Sequence, residues 1–492
     1  MSGALLIGVL TRETYVGHLS LEMSIGEMLG AVSQMYAANA VPFAVLATSL
    51  FFGLQLYRPL PGARVRQRIA HIAVACIAGS LCHLGSIVLF SGAPSRGVVV
   101  PAWGALCLAA SSTRLLRIYF TSRFHLTPRT KAKGTRIEDV LVVGGAGYIG
   151  SVLTRQLLAA GYRVRILDLQ LFGTESLNDI IAHSRLQVLR GDFRNVEDVV
   201  QAMRGVDAIV HLAAIVGDPA CAVHEDATIA VNYGAAKMIA QLARAYGISR
   251  FVFASTCSVY GASDDTIDET SSLNPVSLYA TTKIDAERAL LDAVDDVFQP
   301  TILRLATAYG WSHRPRFDLV ANLLSAKAVT DGEISIFNGE QWRPFVNTRD
   351  IARAIVMTLE APLDRVGGEI FNVGDNTQNF TLRELGEIVA ASVPGTRALH
   401  IRNDEDPRNY RVCFDKIQNV LGYRAEVSLE EGIREIVDAV RAQRITDWSN
   451  PIYSNLKQME GDVLRVLANE SVAEEAPNGE LQATKQFLRR AA

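Results

Sequence analysis

A tyrosine and a lysine four residues apart are the side chains of this chain best suited to proton transfer. Tyr279 and Lys283 stand in Tyr279-Ala-Thr-Thr-Lys283, at a predicted helix start, and this spacing places both on one helical face. Because a nearby ammonium stabilises a phenolate, we expect Lys283 to lower the pKa of Tyr279 toward working pH. The phenolate could then take the proton of an alcohol hydroxyl while a hydride leaves the carbon that carries this hydroxyl. Taken alone, the spacing is equally typical of a surface pair.

A third side chain supports the catalytic interpretation. Thr256 lies in Ser255-Thr-Cys-Ser-Val-Tyr-Gly261, directly after the apolar run 250–254. A residue at the end of a parallel strand faces the ligand edge of the sheet. We therefore expect Thr256 to hydrogen-bond the same substrate oxygen as Tyr279.

A glycine-rich turn indicates the hydride acceptor. Residues 140–143 predict a buried parallel strand, glycines follow at 144, 147 and 150, and a helical pattern covers 149–160. In such a turn Gly144 permits the bend, Gly147 lets a pyrophosphate approach, and Gly150 lets the helix pack on the strand. The next strand ends at Asp168, where a carboxylate binds the ribose hydroxyls of NAD and repels the 2′-phosphate of NADP. The sequence predicts NAD as cofactor.

Further apolar runs alternate with helical patterns, at 186–189, 208–214, 250–254 and 301–304. This order is typical of an α/β protein with ligands at the carboxyl ends of its strands. We predict a Rossmann-type doubly wound parallel sheet with a smaller C-terminal substrate domain, preceded by an all-α transmembrane region.

The transmembrane prediction rests on the front of the chain. Residues 28–137 contain no Asp or Glu and 12 Lys or Arg, and apolar segments cover 36–56, 69–90 and 98–113, the last extendable to 120. The basic residues cluster at 58–68 and 114–136, which the positive-inside rule assigns to the cytoplasm. The expectation is a multi-pass protein of the bacterial inner (cytoplasmic) membrane with a cytoplasmic catalytic domain and the lipid bilayer as a partner. The alternative is a buried helical bundle of a soluble domain.

The predicted organisation has five parts. They are an extracytoplasmic segment 1–35, about three transmembrane helices in 36–120, a basic linker 121–137, the NAD-binding domain 138–445 and a partly disordered tail 446–492. Substrate binding is expected mostly within 310–345 and 375–445. The six cysteines do not pair by spacing and predict neither disulfides nor a metal site. No nucleic-acid partner is expected.

Several motifs in order carry a family resemblance. They are Gly144–Gly150, Asp168, Gly191-Asp192, His211-Leu-Ala-Ala214, Val231-Asn232, Thr256, Tyr279 with Lys283, and Trp342-Arg-Pro-Phe-Val-Asn-Thr-Arg-Asp350. Residues 138 to about 445 resemble the extended short-chain dehydrogenase/reductase family, in particular the nucleotide-sugar epimerases and dehydratases such as UDP-glucose 4-epimerase. The N-terminal part loosely resembles bacterial membrane enzymes of polysaccharide biosynthesis.

The resemblance implies roles for further residues. Those assigned to the cofactor are Tyr148, Ile149, Asp192, Phe193, Leu212, Ala213, Ala214 and Lys283, with Asp192 and Phe193 beside the adenine. Asn322, Arg343 and Arg408 are assigned to a nucleotide-diphosphate sugar, since a planar guanidinium suits a diphosphate. Family members also suggest a homodimer.

One departure from the family bears on the reaction. The 4,6-dehydratases follow the catalytic threonine with an acidic residue, whereas this chain has Cys257 and Ser258. The sequence therefore favours an NAD-dependent epimerase acting at C4 of a UDP-hexose through a transient 4-keto sugar. The alternatives are a 4,6-dehydratase, a 4-ketoreductase, or a non-catalytic dinucleotide sensor in a membrane glycan complex.

Overall fold

The computed structural model describes residues 137–402 and 408–460, together with Cys107. By its contacts the chain divides into two compact units, residues 1–127 and 128–492. The elements below all belong to the second unit.

Fourteen strands are found in the described part of this unit. They are β1 Asp139–Val143, β2 Arg163–Asp168, β3 Leu186–Arg190, β4 Ala208–His211, β5 Arg250–Thr256, β6 Ala262–Ile267, β7 Gln299–Leu305, β8 Thr307–Tyr309, β9 Glu333–Phe337, β10 Trp342–Asn347, β11 Ile370–Val373, β12 Asn379–Thr381, β13 Arg397–Ile401 and β14 Asn409–Val412.

Thirteen α-helices connect or flank them over the same residues. They are α1 Tyr148–Ala159, α2 Val196–Met203, α3 Asp218–Val223, α4 Glu225–Ile229, α5 Ala236–Ala245, α6 Leu278–Leu291, α7 Val320–Thr330, α8 Thr348–Glu360, α9 Leu363–Val366, α10 Leu382–Ser392, α11 Asp415–Leu421, α12 Leu429–Arg441 and α13 Asn455–Met459. A π-helical turn, Ala230–Ala235, joins α4 to α5.

Seven strands form one parallel sheet in the order β3-β2-β1-β4-β5-β7-β11. The chain runs outward from β1 to β3 and returns to pair β4 with β1, so the strand order reverses between β1 and β4. In a doubly wound sheet, ligands bind in the crevice at the carboxyl ends of the strands on either side of this reversal. The predicted Rossmann-type sheet is confirmed.

Helices cover both faces of the sheet. The central strand β1 is fully buried from Val140 to Val143, as expected for an apolar strand enclosed on both sides. Helices α1 and α8 pack together on one face, and α2, α5 and α6 contribute to the core of the other.

Shorter sheets build the second region. Strands β12, β10 and β8 form one, β9 pairs in parallel with β13, and β6 pairs in parallel with β14. Apolar side chains of α7, α10 and α12 close over β9 and β10 in a separate core.

One sequence-based expectation is contradicted. In residues 137–402 and 408–460 no helix is long and apolar enough to span a bilayer. The longest helix of this part, α6, has 14 residues and a length of about 21 Å, against a hydrocarbon core of about 30 Å. The three predicted spans within 36–120 lie outside the described residues. The expected localisation in the bacterial inner membrane is corrected by this finding, and the bilayer is not retained as a partner.

Candidate functional site

The glycine turn joins β1 to α1 in the geometry that a dinucleotide requires. Gly144 has φ +86°, and a Cβ there would lie 2.7 Å from the backbone nitrogen of Ala213. A Cβ on Gly150 would lie 2.2 Å from the carbonyl oxygen of Gly144. Side chains are therefore excluded at both positions, and the N-terminus of α1 is left open to a phosphate group.

Asp168, the last residue of β2, lies beside this turn. Its carboxylate accepts hydrogen bonds from the backbone nitrogens of Ala146 at 3.0 Å and Gln170 at 2.8 Å. Burial raises the pKa of Asp168, while both amides and the charge of Arg314 act to lower it. A carboxylate with two oxygens keeps free lone pairs for ribose hydroxyls. The turn and Asp168 together fit NAD.

One cavity of about 710 Å³ contains nearly all the predicted cofactor residues. Its wall includes Gly144, Gly147, Tyr148, Ile149, Gly150, Asp168, Phe193, Leu212, Ala213 and Ala214. Asp192 is the exception, because it lies off the wall and its carboxylate pairs with Arg194 at 2.7 Å. The adenine contact predicted for Asp192 therefore has no support in this geometry.

The predicted catalytic set lies on the same cavity. Helix α6 starts next to Ser277, whose hydroxyl accepts from the backbone nitrogen of Ala280 at 3.2 Å. Tyr279 and Lys283 follow on one face, and Thr256 ends the adjacent β5; all three line the cavity. The Lys283 ammonium donates to the carbonyl of Ala254 at 2.8 Å and lies 6.0 Å from the centroid of the Tyr279 ring.

The electrostatics of Tyr279 differ from the sequence-based expectation. Burial raises the pKa of Tyr279 well above its ordinary value, and Arg316 and the hydroxyl of Thr256 act to lower it. Burial also lowers the pKa of Lys283, to about 8. Desolvation is therefore a larger effect on this phenol than the nearby positive charge.

Cys257 is a packing residue. Its side chain is buried and its thiol donates to the carbonyl of Arg304 at 3.3 Å. Burial raises the pKa of Cys257 far above its ordinary range. The next residue, Ser258, lines the cavity and accepts a hydrogen bond from the hydroxyl of Thr256 at 3.1 Å. Neither can act as both acid and base in a dehydration.

The three predicted substrate residues are placed differently from one another. Arg343 on β10 and Arg408 both line the cavity, and Arg343 donates to the carbonyl of Arg408. Asn322 is buried away from the wall. Its amide accepts from the backbone nitrogen of Gly310 at 3.0 Å and donates to the hydroxyl of Tyr148 at 3.1 Å. Asn322 therefore supports the wall and does not line it.

Several charged wall residues were not found from the sequence. Asp218 pairs with Arg408 at 3.1 Å, and Arg316 pairs with Asp318 at 2.9 Å. Arg314 is buried and lines the same cavity. The Gly-Asp-Pro stretch at 217–219 and the Arg-Pro-Arg stretch at 314–316 were visible signals, but neither matched a motif with a known role.

The comparisons with known proteins agree with this site. Residues 140–374 match the NAD dependent epimerase/dehydratase family. A UDP-glucose 4-epimerase of Bacillus subtilis is 28% identical over 326 residues, which cover 59% of this chain and 94% of that protein.

Solved structures extend the agreement to the fold. The crystal structure of DesIV, a dTDP-glucose 4,6-dehydratase from Streptomyces venezuelae with NAD and TYD bound, has a TM-score of 0.58 at 29% identity and covers 64% of this chain and 99% of its own. UDP-glucose 4-epimerase from Thermus thermophilus in complex with NAD has a TM-score of 0.55 at 26% identity, covering 62% and 99%. Residues 140–374 of this chain are therefore similar to the NAD dependent epimerase/dehydratase family, and the NAD-bound structures support NAD as the cofactor.

Proposed function

We propose that this chain is a nucleotide-sugar epimerase that inverts C4 of a UDP-hexose through a transient 4-keto sugar. The observation that carries the proposal is a single cavity that combines the NAD turn, the Thr256–Tyr279 pair and the guanidinium groups of Arg343 and Arg408. The buried Cys257 stands where a dehydratase would need an acid.

The residues that line the cavity have separate roles in this reaction. Arg343 and Arg408 bind the diphosphate, which brings the hexose toward the end of β5. Tyr279, in its phenolate form, takes the proton of the C4 hydroxyl and later returns it, and Thr256 holds the same oxygen. Bound NAD supplies the acceptor and donor of the C4 hydrogen. Since the two transfers cancel, NAD is regenerated in each cycle and need not leave.

The proposal is tested with the purified full chain and a panel of UDP-, GDP- and dTDP-sugars, with no cofactor added and products followed by NMR. We expect interconversion of two C4 epimers. Loss of water, or turnover only with added NADH or NADPH, would replace the epimerase by a dehydratase or a ketoreductase.

The catalytic role of Tyr279 is tested by substitution. Tyr279→Phe removes only the hydroxyl, and we expect kcat to fall by at least about 100-fold because the proton acceptor is lost. Tyr233→Phe makes the same change outside the cavity wall and should leave kcat unaltered. A parent kcat in Tyr279→Phe would refute its role as proton acceptor, whereas NAD binding without turnover of any sugar by the parent chain would favour a dinucleotide sensor.

One observation favours a second candidate, a 4,6-dehydratase. Asp218 lines the cavity, its charge acts on Tyr279, and one of its carboxylate oxygens has no hydrogen-bond partner among the described residues. It could supply the acid and base that Cys257 and Ser258 cannot. If a 4-keto-6-deoxy sugar forms and Asp218→Asn abolishes it, the dehydratase replaces the epimerase.

A further inference from the structure

The C-terminal end of the described chain crosses the cofactor crevice. Residues 450–459, here called the strap, contain a short helical turn and α13. The amide of Asn455 donates to the carbonyl of Val216 at 3.3 Å, beyond β4. That of Gln458 donates to the carbonyl of Leu171 at 3.4 Å, beyond β2. The strap therefore joins the loops on both sides of β1, where the dinucleotide lies.

The strap also packs as part of the domain. The side chain of Met459 is 4% exposed and lies in the core that includes Phe193 and Ile215. The backbone nitrogen of Phe317 donates to the carbonyl of Tyr453 at 2.9 Å. The sequence predicted a partly disordered tail from residue 446, yet residues 454–456 and 459 line the cavity.

Arg314 is the charged residue that the strap holds. Its guanidinium donates to the side-chain oxygen of Asn455 at 2.9 Å and lies over the ring of Phe172 at 3.7 Å from the centroid. The side chain is 6% exposed, and its Nε has no hydrogen-bond partner in the described part of the chain. Arg314 also makes no ion pair there, whereas the neighbouring Arg316 is paired with Asp318.

The position of Arg314 relates it to the pyrophosphate end of the crevice. Its backbone nitrogen donates to the hydroxyl of Ser312 at 3.2 Å, and that hydroxyl donates to the carbonyl of Tyr148 at 2.6 Å. Tyr148 is the first residue of α1. Arg314 shares the cavity wall with Gly147 and Asp168; in this fold the pyrophosphate of NAD binds at the helix N-terminus beside the glycine turn, and the acidic residue binds the ribose.

The surroundings of Arg314 favour an anion. Burial lowers the pKa of Arg314 to about 9 and the charge of Arg316 acts in the same direction, while the charges of Asp318 and Asp168 act to raise it. A buried guanidinium with an unused donor is costly, and a diphosphate provides both the charge and the acceptors.

We propose that Arg314, held in place by Asn455 of the strap, binds the pyrophosphate of NAD and retains the cofactor in the chain. Asn455 is a positioning residue that acts through Arg314. The inference deepens the proposed function, since an enzyme that regenerates NAD in each cycle gains from keeping it bound.

The test measures the rate at which NAD leaves the full-length holoenzyme, without any sugar present. A large excess of unlabelled NAD traps the site while release of radiolabelled NAD is followed. We expect Arg314→Gln to accelerate release by at least about tenfold, the loss of a charge-assisted hydrogen bond. Arg434→Gln makes the same change at an exposed position and should release NAD at the parent rate. A parent rate in Arg314→Gln would overturn the proposal.

Two further measurements separate a diphosphate contact from a structural role. After removal of NAD, Arg314→Gln should weaken the binding of ADP-ribose and leave that of adenosine unchanged; equal losses would mean a structural role.

Asn455→Ala should also accelerate the release of NAD, and combining it with Arg314→Gln should give no further acceleration. Additive effects would show that Asn455 does not act through Arg314. If Arg314→Gln does not fold, Arg314→Lys replaces it, because lysine keeps the charge but lacks the planar set of donors of a guanidinium. Arg314→Lys is then compared with Asn455→Ala in the same assays. Parent rates of NAD release in both variants would overturn the proposal.

The rates of NAD release and the binding of ADP-ribose do not depend on which reaction the chain catalyses. A chain that retains NAD through Arg314 and interconverts no sugar epimers would refute the proposed epimerase and leave this inference standing.

Discussion

At the residue scale, Lys283 shows how a buried charge serves the site at a cost in stability. Its side chain is 2% exposed, and its ammonium has the carbonyl of Ala254 and the ring of Phe253, at 4.7 Å, as partners. Burial lowers the pKa of Lys283 from 10.5 to about 8. Below pH 8 both folded and unfolded chains carry this proton. Between about pH 8 and 10.5 the unfolded chain binds more protons, so the native state gains stability as pH rises.

Lys283→Met should reveal both the contribution of Lys283 to the reaction and its cost in stability. We expect at least about a 100-fold loss of kcat, with a free energy of unfolding about 1–2 kcal/mol higher than the parent at pH 7 because no charge is buried. The stability advantage should shrink as pH rises from 8 to 10. Urea unfolding at several pH values measures it, with Lys237→Met, an exposed position, as the control. A pH-independent difference would contradict the assignment.

At the element scale, helix α6 brings three functional side chains to one place at intervals of four residues. Tyr279 and Lys283 face the cavity, and Glu287 continues the same face into the core. The Glu287 carboxylate pairs with Arg304 of β7 at 2.7 Å, with both side chains 3% exposed, and accepts from the hydroxyl of Ser255. The pair therefore holds α6 against β5 and β7, which sets where Tyr279 meets Thr256.

Breaking this pair should destabilise the domain. Glu287→Gln leaves the Arg304 charge buried without a counter-ion, and we expect a loss of about 3 kcal/mol in the free energy of unfolding together with a lower kcat. Asp285→Asn removes an exposed carboxylate of the same helix, 3.8 Å from Arg288, and should change stability by less than about 0.5 kcal/mol. Equal effects of the two variants in urea unfolding would refute the role given to the pair.

At the scale of the whole molecule, the two units divide the chain at residue 127. The four hydrophobic clusters of the described residues all lie in the second unit, and they join the sheet, the smaller sheets and the strap. The cofactor cavity is lined by residues of this unit. A homodimer stays a prediction.

A chain of residues 128–492 should therefore fold and retain NAD without the first unit. We expect a cooperative thermal transition and about one NAD per chain after gel filtration, because the packing that encloses the cofactor is internal to this unit. Circular dichroism and the NAD content of the denatured fragment measure these properties. An aggregated or NAD-free fragment would show that residues 1–127 contribute to the fold.

The local motifs could be predicted from the sequence because neighbouring residues determine them. The strand, glycine turn and helix of 140–160, the carboxylate of Asp168 and the four-residue spacing of Tyr279 and Lys283 were predictable from periodicity and backbone geometry. They predicted the sheet and the cofactor. Asp192 and Asn322 do not line the cavity, which sequence order could not show because it does not reveal which side chains already have partners inside the protein.

Only the tertiary structure decided the contacts between distant segments. It paired Glu287 with Arg304 and Asp218 with Arg408, and it brought Asn455 to Arg314 across 141 positions. It also reversed the expected pKa of Tyr279, since desolvation depends on everything that surrounds a side chain. Periodicity and motifs report on residues within a few turns of one another, whereas burial and charge pairing arise only when the chain has folded.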